Sequence, residues 1–600
     1  MPQPPQMPGN GVIDLCGARQ YSDADTTHRS ALRQQAPLAF ALRTTIAALM
    51  AWAVAAGLGI HHPWWAAMTV WLVAQPSRGL LLERSLARLV GTACGSVAGL
   101  LILDWFGRDL IQALMATAIW LALCAGLGSV FRHFRNYGLV LAGYTAAIIV
   151  LFALNGGPAE PGLAGDRVAC AITGIVSSAL LSFHALPGGG QTLTRHAYEV
   201  LHHALAFVES RLLGHAPSPV SSSQGASVAT AIGALDRAVD EYAAGSLHRR
   251  REAVRTRCIS GLLLELVALG STVKSREEIT SGKPILASCG DNPIQRLSEL
   301  AAQVGEPAAA RALDELAILT RAERTPIVLD FDRTAAWRAA ARPVAALVVA
   351  ATIWQVTGWE IGALMTMTAV LFTALFSSQD QGNQMVLHVL AGTLCGALAG
   401  IFARVVLLPH AHGLLPILLV IAPFLLLGAW LMRQSATGKM AIDFTMTFLL
   451  TSQPGSLVTL PCTVFGEAAA ITAGVVIAIA IFWLILPATP EVRRLLLARR
   501  ISRLTQGIAE KQDLAIAVKM LRSLQITQVR MLDVVRADSD LFQRTQDCLS
   551  MASRIVATRC EGAVSGRPDL YTQSELEAAV VKAVAALTTE IVIRPKRGDK

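Results

Sequence analysis

Three ionisable side chains lie in or beside long apolar runs, where such residues usually serve a function. Asp443 has apolar neighbours on both sides, Glu467 opens an apolar run, and His388 lies just inside another. A carboxylate or imidazole in such a place can take up and release a proton, so these three residues are candidate proton-coupling groups, Asp443 first. Each lies within about two helical turns of a predicted run end, so pairing at the membrane interface is the alternative.

A second set of residues has the chemistry to bind an aromatic anion. Arg43 supplies a cation early in the first apolar run, and Trp64, Trp65 and Trp354 supply flat apolar rings. The alternative for the tryptophans is an ordinary position at the membrane interface, where Trp is enriched.

Other kinds of chemistry are not indicated by the sequence. No nucleotide-binding G-x-x-x-x-G-K-[ST] loop occurs, and no nucleophile, base and orienting residue form an enzyme motif. His61, His62, His410 and His412 have no acidic or cysteine companions at ligand spacing, and the ten cysteines include no C-x-x-C pair. We therefore expect no enzyme, no cofactor and no metal, and an energy source that is external or a gradient.

The elements that must position these residues are membrane spans. Of the 600 residues, 53% are hydrophobic and only 16% are charged, which lies outside the range of soluble proteins. The net charge of +9 does not indicate nucleic-acid binding, because Lys and Arg cluster where apolar runs end. The protein is expected to be an integral membrane protein in contact with lipid.

One nine-residue pattern, G-T-x-C-G-x-x-A-G, occurs twice in apolar surroundings. Small residues at this spacing let two transmembrane helices approach closely, and they predict helix packing at six glycines: Gly91, Gly95, Gly99, Gly392, Gly396 and Gly400. The copies lie 301 positions apart (392 − 91), about half the chain. The sequence therefore predicts two related membrane halves.

Apolar runs of about 20 residues divide each half into six predicted spans. The first six are 37–60, 64–82, 86–103, 110–131, 137–154 and 168–186. The second six are 342–356, 360–377, 385–408, 414–432, 440–452 and 467–486. An even number of spans in each half makes the two sets parallel repeats. The predicted fold is all-α, with two parallel repeats of six transmembrane helices, each followed by a helical cytoplasmic domain.

Charge orients the predicted spans. Arginines precede or open the first span, surround the second gap and fill the fourth, and the alternate gaps are poor in positive charge, so both termini are expected in the cytoplasm. The predicted divisions are 1–36, a cytoplasmic tail; 37–186, the first transmembrane domain; 187–336, a helical cytoplasmic domain; 337–486, the second transmembrane domain; and 487–600, a C-terminal helical cytoplasmic domain. Helical apolar spacing supports the middle domain, with loops expected at 216–227 and 281–292.

Several stretches resemble the fusaric acid resistance family of bacterial inner-membrane proteins. In the first half they are FALRTT (40–45), HPWWAAMT (62–69), QPSRG (75–79) and RNYGLVLAGYT (135–145). In the second half they are Trp354 with TGW (357–359), and APF (422–424). The similarity covers both membrane halves and is densest in the first.

The resemblance implies proton-driven export of small aromatic or weak organic acids from the bacterial inner membrane. It also implies a periplasmic adaptor protein and an outer-membrane channel as partners, while a homo-oligomer is left open. Members of the family often carry an acidic residue three places after the arginine of the sixth span; here Arg167 is followed at that place by Cys170. Proton coupling in this chain would then use another group.

Two other classes of function stay open. A passive organic-anion channel would have the same spans and basic borders, and it would dissipate a substrate gradient without proton flux. A non-transporting membrane scaffold would recruit partners through its cytoplasmic domains, and its loss would leave the accumulation of organic acids unchanged.

Overall fold

A computed structural model describes residues 37–75, 77–130, 134–154, 162–182, 191–213, 219–272, 293–321, 333–377, 382–434, 437–456, 460–485, 490–536, 539–565, 575 and 578–585. The described residues contain helices and no strands. Several expectations lie outside them: the tail 1–36, most of the gap 155–166, the breaker at 187–190 and the loop at 281–292.

The described chain divides into two compact units. The membrane unit comes from both halves, between 37 and 182 and between 333 and 485. The polar unit comes from 191–321 and 490–585.

The first half of the membrane unit contains six helices: α1 (Pro37–Gly57), α2 (Trp64–Val73), α3 (Arg78–Phe106), α4 (Leu110–Val130), α5 (Phe134–Leu154) and α6 (Leu163–Ser182). The polar segment after it contains α7 (Gln191–Leu212), α8 (Pro219–Ala243), α9 (Leu247–Thr272), α10 (Pro293–Val304) and α11 (Pro307–Arg321).

The second half contains α12 (Arg333–Thr357), α13 (Gly362–Phe376), α14 (Gly382–Phe402), α15 (Leu414–Met432), α16 (Gly438–Ser452) and α17 (Pro461–Ala480). A π-helical turn, Ala403–Leu407, extends α14, and another, Ile481–Ile485, extends α17. The last polar segment contains α18 (Pro490–Glu510), α19 (Leu514–Met531) and α20 (Asp540–Ser565).

Nine helices in the described part of the chain are long and apolar enough to cross a membrane. The apolar parts of α2, α13 and α16 are shorter. The chain is therefore a multi-pass membrane protein.

The predicted bounds of two spans are wrong. The run 64–82 was expected to be one span, but α2 ends at Val73 and α3 begins at Arg78, because the Ser77 side chain caps the new helix by accepting a hydrogen bond from the Leu80 amide at 3.4 Å. The basic residues expected in the second gap therefore lie on α3. Similarly, α17 begins at Pro461, so Glu467 lies in its second turn and does not open the span.

The six glycines of the repeated pattern lie against neighbouring helices. A Cβ atom on Gly95 of α3 would lie 2.6 Å from the Ala142 carbonyl oxygen of α5. In the second half, a Cβ on Gly400 of α14 would lie 3.1 Å from the Phe448 carbonyl oxygen of α16. A Cβ on each of the other four glycines would also meet a carbonyl oxygen of α5 or α16. Gly91 would meet that of Gly138, Gly99 that of Ala146, Gly392 that of Met440 and Gly396 that of Phe444.

A second helix pair repeats in the same way. A Cβ on Gly174 of α6 would meet the Ala66 carbonyl oxygen and the Thr69 side chain of α2. A Cβ on Gly474 of α17 would meet the Met365 carbonyl oxygen and the Thr368 side chain of α13. The two halves thus share residue-level packing at α3–α5 and α14–α16, and again at α2–α6 and α13–α17.

The two polar segments build one hydrophobic core between them. The expected apolar stripes on α7 and α8 are buried in it, which confirms their helical spacing; they include Leu201, Leu205, Val208, Val228, Ile232, Leu235 and Val239. Residues of α18, α19 and α20 complete the same core, so the described parts of 187–336 and 487–600 do not form two separate domains. Single amphipathic stripes need a partner surface, and each segment supplies the other's. The loop expected at 216–227 is also wrong from Pro219 onward, where α8 begins.

A buried carboxylate joins the two polar segments. Glu265 of α9 is fully buried and accepts hydrogen bonds from Arg311 of α11, Gln525 of α19 and Ser553 of α20. Burial alone would lower the pKa of Arg311, but Glu265 and Glu315 outweigh it and hold that pKa above its ordinary value. This network fixes the register of the helices around it.

Candidate functional site

The residues expected to bind an aromatic anion are not brought together. Trp64 and Trp65 are buried in one apolar cluster of the membrane unit, and Trp354 is buried in another. Arg43 lies over the ring of Phe40, 5.8 Å from its centre, and Arg433 lies 5.6 Å from the same centre.

The three proton-coupling candidates also lie in different surroundings. Asp443 is 7% exposed on α16, where that helix packs against Gly392. Glu467 on α17 forms an ion pair with Arg404, with 2.6 Å between Nη1 and Oε2. His388 is exposed near the start of α14.

Arg88, in the third turn of α3, is a buried charge of the membrane unit. Its side chain is enclosed by α2 and α5, and the residue is 5% exposed. Nε and Nη2 donate to the Thr69 hydroxyl at 3.2 and 3.1 Å, and Nη1 donates to the Tyr137 hydroxyl at 2.9 Å. All of these partners are neutral.

A second cation, Arg167 of α6, lies near the same part of α2. The Arg167 guanidinium lies over the indole ring of Trp65, 4.5 Å from its centre, and His62 stacks on that ring at 4.6 Å. Thr69 connects the two cations, because its hydroxyl donates to the Trp65 carbonyl oxygen while it accepts from Arg88.

A third arginine completes the group. Arg84, one turn before Arg88 on α3, lies 4.9 Å from the centre of the Tyr137 ring. Tyr144, two residues beyond Ala142 on α5, is buried within electrostatic reach of Arg88 and Arg167. We call Arg84, Arg88 and Arg167, with their partners Thr69, Tyr137, Tyr144, Trp65 and His62, the cation group.

Among the described residues, no carboxylate lies within ion-pair distance of Arg84, Arg88 or Arg167. Nε of Arg84 and Nε of Arg167 are buried with no hydrogen-bond acceptor among the described residues. Buried charges in proteins are usually paired, and ionisable residues within spans mark substrate or ion pathways. The arrangement is suited to an anion with a flat ring, which can accept from guanidinium groups and stack on aromatic side chains.

Comparison with known proteins agrees with this description. The family model for the fusaric acid resistance protein family matches residues 37–284 and 284–557, which is most of the chain. The chain belongs to the fusaric acid resistance protein family. The matched region includes both membrane halves and much of the polar unit.

Curated relatives of this family member are transporters. The chain is 31% identical over 153 residues to a p-hydroxybenzoic acid efflux pump subunit, AaeB, of Edwardsiella ictaluri, covering 24% of each chain. It is 34% identical over 154 residues to AaeB of Pantoea ananatis, again covering 24% of each. It is 32% identical over 179 residues to the uncharacterized transporter YdhK of Escherichia coli, covering 30% of this chain and 26% of that one. These matches thus span about a quarter of each relative, and no solved structure matches.

The cation group was missed from the sequence of this family member for identifiable reasons. Arg84 and Arg88 fell beside an expected gap, where arginine is ordinary at a membrane border. Arg167 was noted only because Cys170 follows it; Cys170 is buried, with Sγ 3.5 Å from the His62 carbonyl oxygen. The available signal was the Ser77 cap, which would have placed Arg84 on the same helix as Arg88.

The second half of this family member has no matching cation group. The glycine register places Val389 where the first half has Arg88 (301 positions, as for Gly91 and Gly392). It places Glu467 where the first half has Arg167 (300 positions, as for Gly174 and Gly474). The halves share a framework and differ in the charge that it holds.

Proposed function

We propose that this protein is an inner-membrane efflux transporter for small aromatic or weak organic acids of the fusaric acid or hydroxybenzoate type. The observation that carries the proposal is Arg88, a guanidinium buried in the membrane unit whose partners among the described residues are all neutral. A substrate carboxylate would supply the missing negative charge, since charge-assisted hydrogen bonds are the strong ones.

Aromatic side chains account for the substrate class. The rings of Trp65 and Tyr137 each hold a guanidinium on one face, and His62 stacks on Trp65. A benzoate-like anion would place its carboxylate near the guanidinium groups and its ring among these side chains. The named activity of the AaeB relatives is of this chemical type.

Proton coupling is assigned to Asp443. It is an acid almost entirely buried in a membrane helix, on the half that lacks the cation group. No nucleotide-binding loop occurs in the sequence, so a proton gradient is the proposed energy source. The anion would then be bound by one half of the chain while the proton is carried by the other.

The proposed topology has twelve spans in two parallel sets, with both termini and the polar unit in the cytoplasm. The shared helix packing of the two halves and the sorting of positive charge support it. The expected periplasmic gaps are too short to fold into a domain, so we propose that a periplasmic adaptor and an outer-membrane channel complete the route. The description of AaeB as a pump subunit supports a pump of several proteins.

Equilibrium binding of labelled p-hydroxybenzoate to the purified protein tests the site. Arg88→Gln is expected to weaken binding roughly tenfold to a hundredfold, because a hydrogen bond to a charged group contributes about 1.5–3 kcal/mol. Arg88→Lys should keep part of the affinity. Arg108→Gln, which removes an exposed arginine just after the same helix, is the matched control and should bind normally. Normal binding by Arg88→Gln would reject the site.

A passive channel is the second candidate, because the cation group would also attract anions to a pore. Proteoliposomes that hold p-hydroxybenzoate but no proton gradient distinguish the two. The exporter should accumulate the acid only when a gradient is imposed, whereas a channel would only equilibrate it.

A further inference from the structure

Arg404 holds an unusual position in the second membrane half. It lies in the π-helical turn Ala403–Leu407 that extends α14, and its side chain is 6% exposed. Nη1 donates to Glu467 Oε2 at 2.6 Å and to the Thr451 carbonyl oxygen at 3.2 Å. π-Helical turns interrupt the regular backbone ladder and occur frequently at functional sites.

Gln453 joins the same carboxylate from the end of α16. Its Nε2 donates to Glu467 Oε2 at 3.0 Å, and its backbone is left-handed, with φ of +38°. A side chain other than glycine is uncommon in this conformation and needs support from its surroundings. The next residue, Pro454, accepts a 2.9 Å hydrogen bond from Trp52 Nε1 of α1. Glu467 of α17 thus contacts the π-helical turn after α14 and the end of α16. The segment that contains Gln453 and Pro454 in turn contacts α1 of the first half.

Among the described residues, Glu467 has one charged partner. α17 packs against α12, α13, α14, α16 and the π-helical turn. Among their described residues, only Arg404 brings a charge within ion-pair distance of Glu467, and Gln453 brings a neutral donor. Removing one partner of a buried ion pair leaves an uncompensated charge, which is strongly unfavourable. A neutral Glu467 would therefore release Arg404 from its present position.

We propose that Arg404, Glu467 and Gln453 form a lock that closes one end of the membrane unit, and that separating Arg404 from Glu467 opens it. The assignment of this end to the periplasm rests on the proposed exporter and its topology. Separation of the pair takes from Arg404 its charged partner and from Gln453 its acceptor, Glu467 Oε2. The lock then controls access from outside, and Asp443 stays a separate proton site.

Cysteine labelling of the full chain tests the lock. Val464, one turn before Glu467 on α17, is 1% exposed, and Val475, three turns further on, is fully buried. Each is replaced alone, Val464→Cys or Val475→Cys, in a background without the native cysteines. A membrane-impermeant maleimide is added from the periplasmic side, with the exposed native Cys462 retained in a separate protein to calibrate labelling.

Arg404→Gln and Glu467→Gln are expected to speed labelling of Val464→Cys by roughly tenfold, the factor that corresponds to about 1.4 kcal/mol. Labelling of Val475→Cys should stay slow, and the reversed pair, Arg404→Glu with Glu467→Arg, should restore slow labelling of Val464→Cys. If the reversed pair does not accumulate in membranes, the labelling rate of Val464→Cys in the two single variants alone tests the lock.

Unchanged labelling of Val464→Cys in both single variants overturns the lock. Equal acceleration at Val475→Cys also overturns it, because the whole unit would then have loosened. None of these measurements uses an organic acid. A protein that shows the lock and binds no p-hydroxybenzoate would therefore reject the proposed substrate while keeping the lock.

Discussion

The hydroxyl of Thr69 accepts two hydrogen bonds from the guanidinium of Arg88, at 3.2 and 3.1 Å. The equivalent hydroxyl in the second half, Thr368, donates to its own helix at the Leu364 carbonyl oxygen, 2.8 Å away, and has Val389 in place of the arginine. Thr69 therefore holds the guanidinium of Arg88 in position, while the hydroxyl of Thr368 hydrogen-bonds to the backbone of its own helix.

This difference gives a matched pair of variants. Thr69→Val removes the acceptor for Arg88 and leaves a buried charge less satisfied, which costs about 1–3 kcal/mol. We expect weaker binding of p-hydroxybenzoate and a lower Tm, measured by equilibrium binding and thermal unfolding in detergent. Thr368→Val should change both much less. Equal effects of the two substitutions would contradict a positioning role for Thr69.

The glycine contact between α3 and α5 gives a second prediction. Gly95→Ala would place a methyl group 2.6 Å from the backbone oxygen of Ala142, which cannot rotate away. Overpacking of this kind costs about 1–3 kcal/mol, so the amount of folded protein recovered from membranes should fall. Gly165→Ala on α6 is the control, because a Cβ there meets nothing within 4 Å. If both variants fold equally well, the close packing of α3 on α5 is not required.

Asp443 is expected to be essential for uphill transport. Asp443→Asn keeps the shape of the side chain and removes the ionisable group, so expression and p-hydroxybenzoate binding should persist while accumulation against a gradient is lost. Asp443→Glu should retain part of the accumulation. The measurement is uptake into inverted vesicles with an imposed proton gradient. Full accumulation by Asp443→Asn would remove this residue from the coupling mechanism.

The polar unit should depend on Glu265. Glu265→Gln removes the fully buried one of the two carboxylates that pair with Arg311 and leaves Glu315, 3.1 Å from Nη1, so the network that joins the two polar segments is weakened. We expect the variant to be cleaved faster between α7 and α11 in limited proteolysis. Glu299→Gln, on the exposed face of α10, should be cleaved at the native rate. A protected Glu265→Gln variant would show that the carboxylate is dispensable.

The sequence predicted the order of the membrane helices because apolar runs of sufficient length have few alternatives in a bilayer. It did not predict which arginines are buried. Arg88 is separated from Thr69 by 19 positions and from Tyr137 by 49, so their contacts depend on how α2, α3 and α5 pack. Trp65 was selected for the right chemistry, but its cation is Arg167 on α6 and not Arg43. Pairing of Glu467 was given as an alternative, but its partner Arg404 could not be named because it lies 63 positions away.

The shared glycine contacts of the two halves have a consequence for stoichiometry. A chain built from two copies of one framework could hold two equivalent anion sites, yet Val389 and Glu467 stand where the first half has Arg88 and Arg167. Under the proposed function, the binding isotherm would saturate at one acid per polypeptide, and each turnover would move a single molecule. Under that function, one copy of the shared framework would hold the acid that is exported, and the other would hold the ionisable acids Asp443 and Glu467.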